Sequence, residues 1–267
     1  MLAFTLYRAA RHLPTPLDRW AAHAYASLRE RVYQAEVLPG LVVTQGAPRS
    51  NSIWEDRLSS VGGHERGVCE WLAENLRPDD VLYDVGAHYG FFPLLAATVQ
   101  PTARVHAFEP DPYPLPFLRR NEARSPSTTP WSIIEKRVGR EENKFTVTLD
   151  GYAARTIAPT IVKMDIEGAE VLATAGAQRL IESREVDFLI EIHPEQIEAM
   201  GSSIDAMLEQ FPADYRRKVL VDIRSHDTAV WTDDLTALFT DDHPYVYLGP
   251  PETERTFRMA EETIPTA

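Results

Sequence analysis

The chain has 267 residues, with 40 Asp plus Glu against 27 Lys plus Arg, a formal net charge of -13 and a hydrophobic fraction of 44%. That length holds one large domain with a real core, and that hydrophobic fraction excludes a wholly disordered chain. The negative balance argues against sequence-independent nucleic-acid binding, which needs basic surface to release counterions, and the single cysteine, Cys69, excludes an internal disulfide framework and a cysteine-based zinc site.

No apolar run approaches the roughly 20 residues of a membrane-spanning helix. Residues 1–8 read as too short and too soon charged for a signal peptide, so a cytoplasmic protein is expected. Residues 17–33 read as a helix started by Pro14 and Pro16, with Trp20, Ala24, Leu28 and Val32 at spacings near four. A short strand follows at 41–44 and a loop at 45–52. Residues 1–60 are thus expected to be an N-terminal helical extension that packs on the main domain or acts as a lid. The main domain spans 61–250 and a flexible tail 251–267.

From residue 64 onward, helices and strands alternate. The pattern predicts helices over 65–76, 91–99, 114–123, 169–182 and 194–210. It predicts strands over 81–85, 104–109, 131–137, 144–149, 160–165, 186–192, 218–223 and 245–248. Several of these strands are almost wholly apolar, which indicates an α/β fold with a mostly parallel sheet covered on both faces.

In such sheets, ligands bind beyond the carboxyl ends of the strands. The first end reads Asp84-Val-Gly-Ala-His-Tyr-Gly90. Its glycines let the backbone turn sharply before a helix N-terminus, and an acid there suits an ammonium group. The spacing is not the GxGxxG dinucleotide fingerprint. The second end, Ala107-Phe-Glu-Pro110, offers Glu109 to two hydroxyls of a ribose. The third, Ile161-Val-Lys-Met-Asp-Ile-Glu-Gly-Ala-Glu170, sets Lys163 and Asp165 on one side of a strand, where buried charges need partners. Glu167 and Glu170 suit a solvated helix N-terminus. At the fourth, Ile190-Glu-Ile-His-Pro194, Glu191 and His193 alternate to one face, and His193 suits a general base near neutral pH.

These four runs together resemble the signature of the FkbM family of S-adenosylmethionine-dependent methyltransferases, in order and spacing, over roughly residues 63–211. The resemblance implies a Rossmann-like class I methyltransferase fold. Its seven-stranded, mostly parallel sheet has the order 3-2-1-4-5-7-6, with the last strand antiparallel and helices on both faces. It implies S-adenosylmethionine as cofactor and S-adenosylhomocysteine as product. Asp84, Gly86 and Gly90 would line the methionine end and Glu109 would hold the ribose, with Glu65, Ala87, His88 and Pro110 beside them. Two features depart from the family: His88 stands where Asn is usual, and the stretch 121–150 is short, leaving residues 133–138 to supply a strand and 139–143 an adenine-side turn.

Methyl transfer to an uncharged hydroxyl needs a base. The expected one is His193, or Asp165 acting with it. Lys163 would orient Asp165 or stabilise developing charge, and Glu167 and Glu191 are second choices. A carboxylate acceptor would need no base, and Lys163 would then bind the substrate. This reading assigns no metal; the alternative is magnesium or manganese on Asp165, Glu167, Glu191 and His193. The expected acceptor is a small molecule, or a glycan or glycolipid hydroxyl, against which Trp54, Trp131 and Tyr89 would stack unless they are core residues. The rival functions are a non-catalytic S-adenosylmethionine-binding partner and a nicotinamide-dependent oxidoreductase. The oligomeric state is left open, a homodimer included.

Overall fold

The computed structural model describes residues 30–48, 65–221, 230–239 and 244–257. The described residues begin with an antiparallel hairpin, β1 (Glu30–Leu38) and β2 (Leu41–Pro48), closed between Leu38 and Leu41. This corrects the expected helix: residues 30–33 are strand, and so are 45–48, which read as loop. The overlooked signal is Pro39-Gly40, a turn pair just before Leu41-Val-Val-Thr44, with Gly40 at φ 79°. Residues 17–29, Trp54 and the tail beyond 257 lie outside the described residues.

The main sheet alternates with helices as expected. Helix α1 (Arg66–Asn75) leads into β3 (Val81–Val85), α2 (Phe91–Val99), β4 (Arg104–Phe108), α3 (Leu115–Arg124) and β5 (Ser132–Ile134). A small parallel pair, β6 (Arg137–Val138) and β7 (Thr146–Val147), precedes α4 (Leu149–Ala153) and β8 (Ile161–Met164). The expected third strand therefore ends early, because residues 137–138 leave the main sheet to pair with β7. After β8 the predicted helix is two pieces, α5 (Glu170–Ala175) and α6 (Gln178–Ser183), parted at Gly176. After β9 (Asp187–Glu191) come α7 (Pro194–Ala199) and α8 (Ile204–Leu208), where one helix was expected. They part at Gly201, φ 77°, and α8 is capped by Ser203, whose hydroxyl accepts from Ala206 N at 3.1 Å. Strands β10 (Arg216–Val221), β11 (Val230–Thr232) and β12 (Tyr245–Gly249) finish the fold.

The strand order is β11-β10-β12-β9-β8-β3-β4-β5. From β5 to β10 this is 3-2-1-4-5-7-6, with β12 antiparallel to both neighbours. The structure adds β11 as an eighth strand, antiparallel on β10. Every residue of β3, β8, β9 and β12 is buried, as strands covered on both faces require, whether parallel like the first three or antiparallel like β12. Leu82, Ile161, Leu189 and Tyr245 face a core shared with the hairpin and α1–α3. Tyr83, Val162, Phe188 and Ile190 face a second core built with α4–α8.

The segment after β12 was expected to fray, yet residues 250–257 are fastened to the sheet. Arg255 is buried and pairs with Asp80 and Asp187, each at 2.9 Å, on the amino-terminal side of β3 and at the start of β9. Thr256 N donates to Asn75 Oδ1 at 2.8 Å. Removing one partner of a buried pair strands the other charge, at a cost of about 3–5 kcal/mol. Arg255→Ala is expected to lower unfolding stability by that order in urea denaturation; an unchanged midpoint would show that this clamp does not hold the fold.

Candidate active site

Strand parity builds the site. Asp84, Lys163 and Glu191 lie on the sheet face that carries Leu82, Ile161 and Leu189, toward α1 and α2. Asp84 sits opposite Lys163 in the β3–β8 register, and Glu191 opposite Tyr245 in the β9–β12 register. Lys163 is fully buried, its Nζ 3.8 Å from Asp84 Oδ1 and 3.6 Å from Asp165 Oδ2. The same ammonium lies 4.3 Å over the ring of Phe92, on α2. Burial works against the Lys163 charge, but the carboxylates of Asp165 and Asp84 outweigh it and hold the pKa above the ordinary lysine value.

His193 caps α7 just past β9, and Pro194 begins the helix. Its Nδ1 is 2.9 Å from Glu170 Oε1. Glu170, the first residue of α5, is completely buried, and its Oε1 also accepts from Gly168 N at 3.0 Å. A carboxylate on Nδ1 fixes that nitrogen as the N–H donor and turns Nε2 toward the site. There Nε2 lies 3.7 Å from Asp165 Oδ1 and 4.0 Å from Glu191 Oε1. Burial disfavours the imidazolium, but the Glu170 hydrogen bond outweighs it and raises the His193 pKa. Burial, with Asp165 beside it, pushes the Glu191 carboxyl well up.

The loop after β3 contains three left-handed residues in five: Gly86 at φ 90°, His88 at 48° and Gly90 at 85°. A side chain at Gly86 would strike the Asp165 carbonyl, so only glycine lets β8 end so close. His88 holds a conformation that costs a non-glycine residue about 1–2 kcal/mol; Asn tolerates it better, which gives the Asn usual in the resembling family a physical reason. Phe108 O accepts from Gly86 N and Ala87 N, each at 3.0 Å. Glu109, buried immediately after β4, accepts from His88 N at 2.8 Å and Asp111 N at 2.7 Å, one on each oxygen.

These residues fit the expected cofactor. Both oxygens of Asp84 are buried without a hydrogen bond, and they suit an ammonium donor. Each Glu109 oxygen keeps a lone pair beyond its backbone bond, enough for two vicinal hydroxyls. Asp84 and Asp165 outnumber the lysine between them, which suits a positively charged ligand.

Lys163, Asp165, Glu191 and His193 come together as the sequence suggested. Glu65 also joins them, accepting from Tyr245 Oη at 2.7 Å. Glu167 does not: it is exposed at φ 51° beyond the cluster. Pro110 is exposed, while Ala87 is buried and His88 exposed. Tyr89 and Trp131 belong to the core with Phe117 and Leu118. Sequence reasoning missed Glu170 as the orienting partner of His193, because a helix N-terminus explained it. It also missed Phe92 and Tyr245 as the walls around Lys163, since both read as ordinary core.

The sheet order and a glycine loop followed by an acid at the next strand end define a class I methyltransferase fold. The methyltransferase FkbM domain matches residues 84–218, half of the chain, and the chain belongs to that family. A stretch of 49 residues is 53% identical to the 31-O-demethyl-FK506 methyltransferase FkbM of Streptomyces tacrolimicus, covering 18% of this chain and 19% of that protein. A longer stretch of 134 residues is 31% identical to the hexuronic acid methyltransferase AglP of Haloferax volcanii, covering 50% of this chain and 51% of that protein. The chain thus spans at most about half the length of these curated relatives. Among solved structures, the methyltransferase FkbM from Methylobacillus flagellatus is similar at a TM-score of 0.49 and 21% identity, over 65% of this chain and 45% of that one. No helix among the described residues is long and apolar enough to cross a membrane.

Burial raises Asp84 to about 6, against the pull of Lys163, and raises Glu109 to about 7, against the hydrogen bonds from Asp111 and His88. Unfolded, both would titrate near pH 4. Between these values the native state binds more protons than the unfolded one. Their contribution to stability is complete below about pH 4 and is lost as the pH rises through about 7. Asp80 has the opposite sense: burial opposes its charge, but Arg255 and Thr160 hold it low, so it acts only at more acidic pH. The ligand-free protein is expected to unfold at lower urea concentration at pH 8 than at pH 5.5, and Glu109→Gln to shrink that difference. Equal differences in the variant and the parent would rule out Glu109 as the source.

Proposed function

We propose that the protein transfers a methyl group from S-adenosylmethionine to a hydroxyl of a sugar, glycolipid or natural-product acceptor. The observation that carries this reading is His193, clamped at Nδ1 by buried Glu170 with its Nε2 beside Asp165 at the strand ends. Membership of a methyltransferase family and the named substrates of the two curated relatives support it. The same membership leaves the nicotinamide reading without support.

When bound, S-adenosylmethionine supplies a methyl group already activated on a positive sulfur. Glu109 would hold the ribose hydroxyls and Asp84 the ammonium end. His193 Nε2 would take the proton of the acceptor hydroxyl as its oxygen receives the methyl group. Glu170 keeps the imidazole in register. Lys163 neutralises Asp165 and stops it from drifting toward the substrate. Phe92 and Tyr245 keep water from the ammonium.

A second reading is favoured by one observation. Asp165, Glu191 and His193 each offer a ligand atom within 4.8 Å of the others, so they could hold a divalent cation. Activity undiminished by chelator would remove it.

Release of S-adenosylhomocysteine tests the enzyme against a non-catalytic binder. Glu109→Ala is expected to weaken cofactor binding at least tenfold by calorimetry. His193→Ala and Asp165→Asn should keep cofactor affinity and lose about 10²–10⁴-fold in turnover; full turnover in both sinks the base assignment. A base must be deprotonated to act, so the rate should rise with pH along a limb above the ordinary histidine value of about 6.5. In Glu170→Gln that limb should move to lower pH, because the group holding the proton has lost its charge.

A further inference from the structure

We propose that Asn121 is a positioning residue that makes the β1–β2 hairpin part of the cofactor site. The inference rests on the cofactor reading above and goes beyond the residues that reading uses.

Asn121 lies on α3, completely buried. Its amide spends most of its hydrogen-bonding capacity on backbone. Oδ1 accepts from Gly46 N at 2.7 Å and from Arg124 Nη1 at 3.3 Å, while Nδ2 donates to Gly46 O at 2.9 Å and to Tyr89 O at 2.7 Å. One side chain thus ties the hairpin to the loop that follows β3. No nearer route joins them by sequence, since Gly46, Tyr89 and Asn121 are 32 or more residues from one another in the chain.

Both ends of this tie are built for it. Tyr89 stands between His88 and Gly90, two left-handed residues. A strained loop persists only where its surroundings over-determine it. Phe108 and Glu109 hold residues 86–88, and Asn121 holds the carbonyl of 89. The Tyr89 ring packs edge-on against Phe117, one helical turn before Asn121 on α3. At the other end, Glu30 on β1 pairs with Arg120 at 3.1 Å and Arg124 at 2.6 Å, so the hairpin is fastened to the turns flanking Asn121. A β-carbon on Gly46 would push aside the Glu30 carboxylate and the Arg124 guanidinium, so the fastening crosses directly over this glycine. Asparagine is needed because the site asks for one acceptor and two donors in a compact, uncharged group. Aspartate would face two carbonyls with a charge, and leucine would leave three buried backbone groups unpaired.

The consequence is energetic. With the tie intact, the loop is already in the shape that meets the cofactor, and binding does not have to order it. With the tie cut, part of the binding energy goes to restoring that shape. Strain at His88 then drives the loop away from it.

The test is calorimetric titration of the purified full chain with S-adenosylhomocysteine. For Asn121→Ala the dissociation constant is expected to rise at least tenfold with stoichiometry near one, and Gly46→Ala should raise it at least threefold from the hairpin side. Replacing the strained residue should soften the loss: in a His88→Asn background, Asn121→Ala should cost at least threefold less than in the parent. A merely structural role has another signature, since misfolded protein lowers the stoichiometry and leaves the dissociation constant of the folded fraction unchanged. That pattern, or a dissociation constant within twofold of the parent, overturns the proposal. If Asn121→Ala does not fold, Gly46→Ala and amide exchange at Tyr89 and Gly90 decide, and unchanged values in both overturn it. Failure of the parent chain to bind S-adenosylhomocysteine would instead sink the cofactor reading.

Discussion

A lysine buried in the middle of an apolar sheet is the constraint around which this molecule is arranged. An unpaired ammonium could not remain charged there, because removal from water costs far more than a folded domain has to spare. Lys163 stays charged because Asp84 lies opposite it on the next strand and Asp165 follows it two residues on. The pairing also runs in reverse. Asp84, buried and without a hydrogen bond, is tolerable only beside that ammonium. The outcome is a set of carboxylates held at the carboxyl ends of β3, β8 and β9 with little freedom to move. Such preorganisation is what a transfer site needs.

Around that centre, three buried polar side chains attach outlying pieces of chain to the domain. Glu170 reaches from the start of α5 to His193 and sets its ring. Asn121 joins the entering hairpin to the glycine loop. Arg255 draws the segment after β12 back to Asp80 and Asp187, at the end of the sheet away from the site. Each is nearly or wholly buried, and each meets partners distant in the chain.

The main elements of the α/β domain were legible because periodicity is local. The apolar run at 81–85 and the helix at 91–99 appear in the structure with those bounds. Strand parity likewise places Lys163 with Asp165 and Glu191 with His193. The errors have specific causes. The first residues of β1 read as the end of a helix because Trp20, Ala24, Leu28 and Val32 keep a four-residue spacing that outweighs the Pro39-Gly40 turn. Two helices were drawn as unbroken because Gly176 and Gly201 looked tolerable within a pattern that continued beyond them. The extra edge strand β11 was overlooked because three residues carry too little pattern to recognise.

What the amino-acid sequence determined on its own was the set of short-range facts: which runs form strands, which faces those strands bury, and which charged groups stand at their ends. Those follow from backbone geometry and from side-chain alternation, which any stretch of a few residues carries. Tertiary structure alone decided which of the end groups meet. Glu170 became the partner of His193, and Glu65 that of Tyr245, while Glu167, drawn from the same motif, was left in solvent. The reason is that burial and hydrogen-bond geometry depend on how separate strands and helices pack, and a carboxylate's immediate neighbours in the chain do not say whether it will be solvated or enclosed.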